Sequence, residues 1–202
     1  MIEKKPIDDA YDFLLVKLKK EGYKKLTNRI MVKETEQWLF FVQFSSILKT
    51  RPWTGKMFRN GFWCEVGAFL KGAAHPTMTI DKSLYKNYPA NSVTDCHFRR
   101  FLMPPYLLRN YKAPQYFHAA LWTIFRSKNL KALENIFYNE IQPWTVRLNN
   151  LNDVKVYVEE ILDSNFKASF RKENQVKWGN LSGVKQLKEF FIASHVPSDR
   201  QQ

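Results

Sequence analysis

A chain of 202 residues with 45% hydrophobic and 15% aromatic content is the right size for one domain with a real core, which excludes a disordered tail. Its 32 Lys and Arg against 19 Asp and Glu give a formal net charge of +13, which points to an anionic partner but not to any reaction type. The excess is regional: residues 37–133 hold fourteen Lys and Arg and three acids, Glu65, Asp81 and Asp95, a net of +11.

Residues 1–9 mix Glu3, Lys4, Lys5, Asp8 and Asp9 without an apolar run, so no secretory signal is expected. Ile7, Ala10, Tyr11, Leu14, Leu15 and Leu18 recur at helical spacing. Acids at the start of that segment, lysines at its end and Gly22 just beyond match the helix dipole and a glycine C-cap. A strand is expected at 28–33 and a polar turn at 34–36. In 37–48, Trp38, Phe40, Val42 and Phe44 alternate with Leu39, Phe41, Gln43 and Ser45. That pattern predicts a central strand covered on both sides, its first row facing the N-terminal helix. The stretch is too short and too polar to span a bilayer.

Residues 49–61, punctuated by Pro52, Gly55 and Gly61, read as a loop or wide hairpin turn. Residues 62–70 read as a third strand, 71–92 as a long irregular connection and 93–102 as a fourth strand. Helical spacing returns at 114–126, 129–141 and 152–163; 165–180 is polar and basic, and Leu181, Val184, Leu187 and Phe191 mark a last amphipathic helix. The order predicts an α+β fold: an antiparallel meander of about four strands with an N-terminal helix and C-terminal helices packed on it. Residues 1–164 form one domain in this reading, with 165–202 a basic linker and a helix packed on the same domain.

Five short segments carry a resemblance. They are Glu-Gly-Tyr (residues 21–23), Phe-Val-Gln-Phe-Ser-Ser (41–46), Phe-Trp-Cys-Glu-Val-Gly (62–67), Cys-His-Phe-Arg-Arg (96–100), and Gln-Pro-Trp (142–144) followed by an Asn-Asp helix start. Together they resemble the bacterial domain-of-unknown-function 4304 family over residues 8–162. The resemblance implies a fold and a bacterial source; with no activity established for the family, it supplies no catalytic residue.

The richest binding candidate is the basic aromatic segment. Lys49, Arg51, Lys56 and Arg59 interleave with Trp53 and Phe58, and no acid lies between Phe44 and Cys64. Phosphate contact with base stacking needs that mixture, and so does attraction to an acidic protein; a solvated loop with Trp53 folded back on the core is the plain alternative. If 93–102 is one strand, Asp95, His97 and Arg99 share a face and can hold an anion or position a water, while Cys96 points away from His97. A structural polar patch explains the same trio, and Arg100 adds one more cation there.

Cys64 and Cys96 fit two buried thiols in a reducing cytoplasm, with one bridge as the other option. His75, His97, His118 and His195 lack metal-site spacing, and no glycine-rich phosphate loop or nucleophile elbow occurs, so no metal or cofactor is expected. The basic aromatic run 166–178 wraps a partner or packs on the domain.

The first functional reading is a non-enzymatic bacterial binding protein, an immunity, inhibitor or defence component, recognising an acidic protein through Lys49, Arg51, Trp53, Lys56, Phe58, Arg59, His97, Arg99 and Arg100. The alternative is a nucleic-acid-binding protein using residues 49–59, and a distant third is a hydrolytic enzyme using Asp95 and His97. No membrane partner is expected.

Overall fold

The computed structural model describes residues 5–50, 57–73, 90, 92–102, 117–167 and 181–194; for 47–50, 57–60, 101, 118–121, 164–167 and 181 it describes the backbone. Helix α1, Pro6–Leu18, starts with proline at N1, carries Asp8 and Asp9 in its first turn and buries Ile7, Ala10, Tyr11, Leu14 and Leu18. A 3-10 turn, Lys19–Glu21, extends it to Gly22. At φ 86° Gly22 takes the left-handed conformation that a side chain resists, and Tyr23 then donates back to the Leu18 carbonyl at 3.1 Å.

The meander follows as strands β1 (Lys24–Thr27), β2 (Ile30–Glu34), β3 (Trp38–Thr50), β4 (Met57–Leu70) and β5 (Phe98–Leu102), hydrogen-bonded in chain order and all antiparallel. A two-residue strand, β6 (Phe117–His118), pairs with β4 at Gly61 and Phe62. The predicted strand at 28–33 is instead a hairpin whose turn is Asn28–Arg29; Arg29 accepts φ 67° there while its side chain holds Asp8 at 2.8 Å and Ser46 at 3.3 Å.

One face of the sheet carries the helices. As the alternation predicts, Trp38, Phe40, Val42 and Phe44 share a core with the apolar face of α1, and Tyr11 meets Phe44 edge to face at 5.9 Å. Cys64, Val66, Ala68 and Leu70 of β4 and Phe98 and Leu102 of β5 point the same way. Over them lie α2 (Ala119–Ile124), α3 (Arg126–Ile136), a π turn (Phe137–Ile141), α4 (Gln142–Leu148), α5 (Leu151–Lys167) and α6 (Leu181–Ala193). The helix predicted at 114–126 is β6 followed by α2, and the one predicted at 129–141 is α3 running into the π turn. Helix α5 continues into the predicted linker as far as Lys167, and 168–180 lies outside the described residues. Val184, Leu187 and Phe191 of α6 join the same core as the rest of the helices.

The opposite face has a second, smaller core of Val32, Leu39, Phe41, Phe69, Ala90, Val93 and Cys96. The predicted strand 93–102 is shorter than expected. Val93–Asp95 form a 3-10 turn that lies across β3 and β4, and β5 begins only at Phe98.

Candidate functional site

The second face is where the chain places polar groups inside the sheet. Gln43 of β3 and Glu65 of β4 are cross-strand partners, and Arg99 of β5 stands opposite Gly67, one diagonal step from Glu65. Arg99 Nη2 donates to Glu65 Oε1 at 2.9 Å. Glu65 is 4% exposed. Burial raises its carboxyl above the ordinary carboxylate range, and the Arg99 charge and hydrogen bond pull it back down. Arg99 Nε is buried with no hydrogen-bond partner among the described residues. Gln43 Oε1 accepts from the Val93 backbone N–H at 3.0 Å, and its Nε2 donates to Ser45 Oγ at 3.2 Å.

The covering turn is fixed by two devices. Asp95 Oδ2 accepts from the Ser92 backbone N–H at 3.0 Å and the Ser92 hydroxyl at 3.2 Å, closing a capping box. Gly67 gives Cys96 its seat: a Cβ at that position would stand 2.5 Å from Cys96 Sγ and 2.9 Å from its Cβ. His97 is fully buried, lies 4.7 Å from the Phe69 ring and accepts the Leu70 backbone N–H on Nδ1 at 3.1 Å. With Nδ1 accepting, the ring is neutral and carries its proton on Nε2.

Asp95, His97 and Arg99 all lie on the second side of the sheet, Asp95 in the covering turn, His97 against Phe69 and Arg99 beside Glu65. The first caps a turn, the second supports β4 and the third pairs with Glu65. Arg100 points to the helical face and pairs with Glu140 of the π turn. Cys64 and Cys96 are free, buried and assigned to the cores of opposite faces, which rules out a bridge between them, and burial pushes both thiols up. Glu65 and Gln43 were not singled out by sequence. The signal was there in Glu65: a lone acid at an alternating position between Cys64 and Val66 must be paired or exposed.

Folding also spends part of the cationic middle. Lys71 meets Glu34 at 2.7 Å, Arg126 meets Asp9 at 2.6 Å, and Arg99 and Arg100 meet Glu65 and Glu140. Of those four acids only Glu65 lies within residues 37–133, so the other three carry neutralising charge in from elsewhere.

The two described ends of the basic aromatic segment are strand. Strand β3 runs to Thr50 and β4 starts at Met57, with Lys49 opposite Phe58 and Leu48 opposite Arg59. Arg51, Trp53 and Lys56 lie outside the described residues. Strand β2 pairs with β3 only up to Gln43, β5 with β4 only down to Cys64, and β6 reaches Gly61. Beyond these points, among the described residues, β3 and β4 continue as a two-stranded ribbon. A register shift at Ile47/Leu48 marks its root, and three paired positions carry it about 10 Å further.

A groove of about 490 Å³ lies elsewhere, between α5 and α6, lined by Lys155, Val156, Val158, Glu159, Lys188, Phe191 and Ile192. It belongs to the helical side, away from Glu65 and Arg99, and its charged rim is engaged by a Lys188–Glu159 pair at 3.1 Å and by Lys155 over Phe191. Among the described residues no group of three or more His, Cys, Asp or Glu is placed to hold a metal, and no helix is long and apolar enough to cross a membrane. No protein-family model matches the chain, and no curated protein or solved structure matches it.

Proposed function

We propose that this is a binding protein that engages an acidic protein surface through the β3–β4 ribbon, as an immunity or inhibitor protein would. The observation that carries the reading is the extension of β3 and β4 past their neighbours within a stretch that has no acid from Phe44 to Cys64 and four cations, Lys49, Arg51, Lys56 and Arg59. A stretch of chain with four cations and no acid steers and orients an acidic partner. Engagement of His97, Arg99 and Arg100 inside the fold supports moving the interaction surface onto the ribbon.

A second reading, nucleic-acid binding, is favoured by the two-stranded form itself, since a ribbon of two strands is narrow enough to enter a DNA major groove. One set of variants separates the two. Lys49→Glu, Arg51→Glu, Lys56→Glu and Arg59→Glu together reverse the charge of the segment 49–59. Cross-linking in source cells, read by mass spectrometry, is expected to join residues 49–59 of the native chain to an acidic protein and to lose that product in the reversed variant. Labelled duplex DNA is expected to bind weakly. Tight duplex binding with a slope of log affinity on log salt near roughly −3.6, the value for four phosphate contacts, would instead establish the second reading.

A further inference from the structure

We propose that the turn between α2 and α3 is a peripheral attachment point for an anionic bilayer surface. Ile124 and Phe125 are neighbours in the chain and are 68% and 53% exposed. Two adjacent bulky apolar side chains held in water are informative only if the backbone presents them firmly, and here it does. Trp122, just before the turn, is 1% exposed and packs on Phe62 and Phe117 with ring centroids 5.0 and 5.4 Å away. Its indole Nε1 donates to Asp9 Oδ2 at 3.1 Å. Arg126, just after the turn, grips the same carboxylate, from Nε at 2.8 Å and Nη2 at 2.6 Å. One buried acid on α1 thus fastens the chain on both sides of Ile124 and Phe125, which face outward where α2 ends and α3 begins.

The surroundings select the ligand's charge. No acid occurs between Asp95 and Glu134 in the sequence, and Asp9 is answered by Arg126. Lys128 and Lys131 are exposed and meet no carboxylate among the described residues, and Lys128 follows Phe125 at i+3 on the same side of α3. An apolar tip with cations following it along α3 matches the boundary between phosphate headgroups and acyl chains of an anionic leaflet. A bilayer fits better than a folded protein, because two side chains fall far short of the roughly 800 Å² per partner that a stable protein complex buries, whereas a bilayer needs no complementary pocket. The contact is adhesion to one leaflet, since no described helix is long and apolar enough to cross.

Co-sedimentation of the full chain with phosphatidylcholine vesicles, and with phosphatidylcholine–phosphatidylserine vesicles, tests this. The native protein is expected to pellet with the mixed vesicles only. The Ile124→Ser/Phe125→Ser variant, altered at exposed positions and checked by circular dichroism, is expected to bind them at least about tenfold more weakly. Lys128→Glu/Lys131→Glu is expected to lose binding as well. Absence of native binding to the mixed vesicles overturns the proposal. So does undiminished binding by the double serine variant, which would mark general attraction of a +13 chain to negative charge. Equal binding to neutral vesicles overturns the part assigned to the cations.

Discussion

The two faces of the sheet are both buried, and they are built on different physics. The helical face is filled by volume: Trp38 lies between Phe40 and Phe98 at 6.1 and 6.0 Å, and Phe62 meets Phe44, Phe117 and Trp122. The other face, apolar near Leu39 and Phe41, is closed by a short capped turn seated on a glycine and accommodates a Gln43–Glu65–Arg99 row. A face covered by helices tolerates slack by shifting side chains. Where the described cover is a short turn, the face depends on individual backbone and polar contacts, so small changes there are expected to act locally and with chemical specificity.

The comparison breaks most violently on the helical side. Phe62→Ala removes a ring that touches three others and is expected to cost about 3–5 kcal/mol, measured by chemical denaturation. On the turn-covered side Gly67→Ala is expected to cost about 1–3 kcal/mol by forcing Cys96 off the sheet. Adding Cys96→Ala should recover only part of that loss, because it removes the 2.5 Å contact to Sγ and leaves the 2.9 Å contact to Cβ. Full recovery would mean that the turn moves freely, contrary to the picture above.

Arg99→Met comes next, at about 1–3 kcal/mol, since it leaves the Glu65 carboxylate buried without its partner. The pH dependence sharpens this. A carboxyl whose folded-state value lies above its ordinary 4.5 binds its proton more tightly in the folded chain. Its stabilising contribution is present below pH 4.5 and is lost as pH rises through the raised value. Denaturation midpoints taken from acid to neutral pH should therefore fall for the native chain relative to Glu65→Gln. Arg99→Met should push that fall to higher pH. The smallest effect expected is that of Asp95→Ala, about 1 kcal/mol for the lost cap, with faster hydrogen exchange at Val93–Cys96 and none of the change reaching α1.

How far the chain could be read follows the same division. Helix α1, the Trp38–Phe44 row and the body of β4 were legible because a long repeating pattern reports a face directly. Pro52 and Gly55 hid the ribbon: turn residues announce a reversal and are silent on how far the flanking strands have already run. The β1–β2 turn was missed because Arg29, not glycine, occupies its left-handed position. Reading Asp95 and His97 as strand missed the capped turn Val93–Asp95, and β5 starts only at Phe98. The net charge of residues 37–133 overstated the field because Glu34, Glu140 and Asp9 come from outside that window, and pairing at such distances leaves no local trace.

The Asp9 clamp also sets a timetable for synthesis. Arg126 lies 117 residues downstream of the carboxylate it holds. At roughly 5–20 residues per second, about 6–25 s separate the two on a translating ribosome, before allowing for the exit tunnel. The meander emerges within that interval and gives α1 a surface to rest on, while the acid at its first turn still awaits both its indole and its guanidinium. The first helix is thus completed late, and a nascent chain halted before Trp122 holds the Asp9 carboxylate without its indole and its guanidinium.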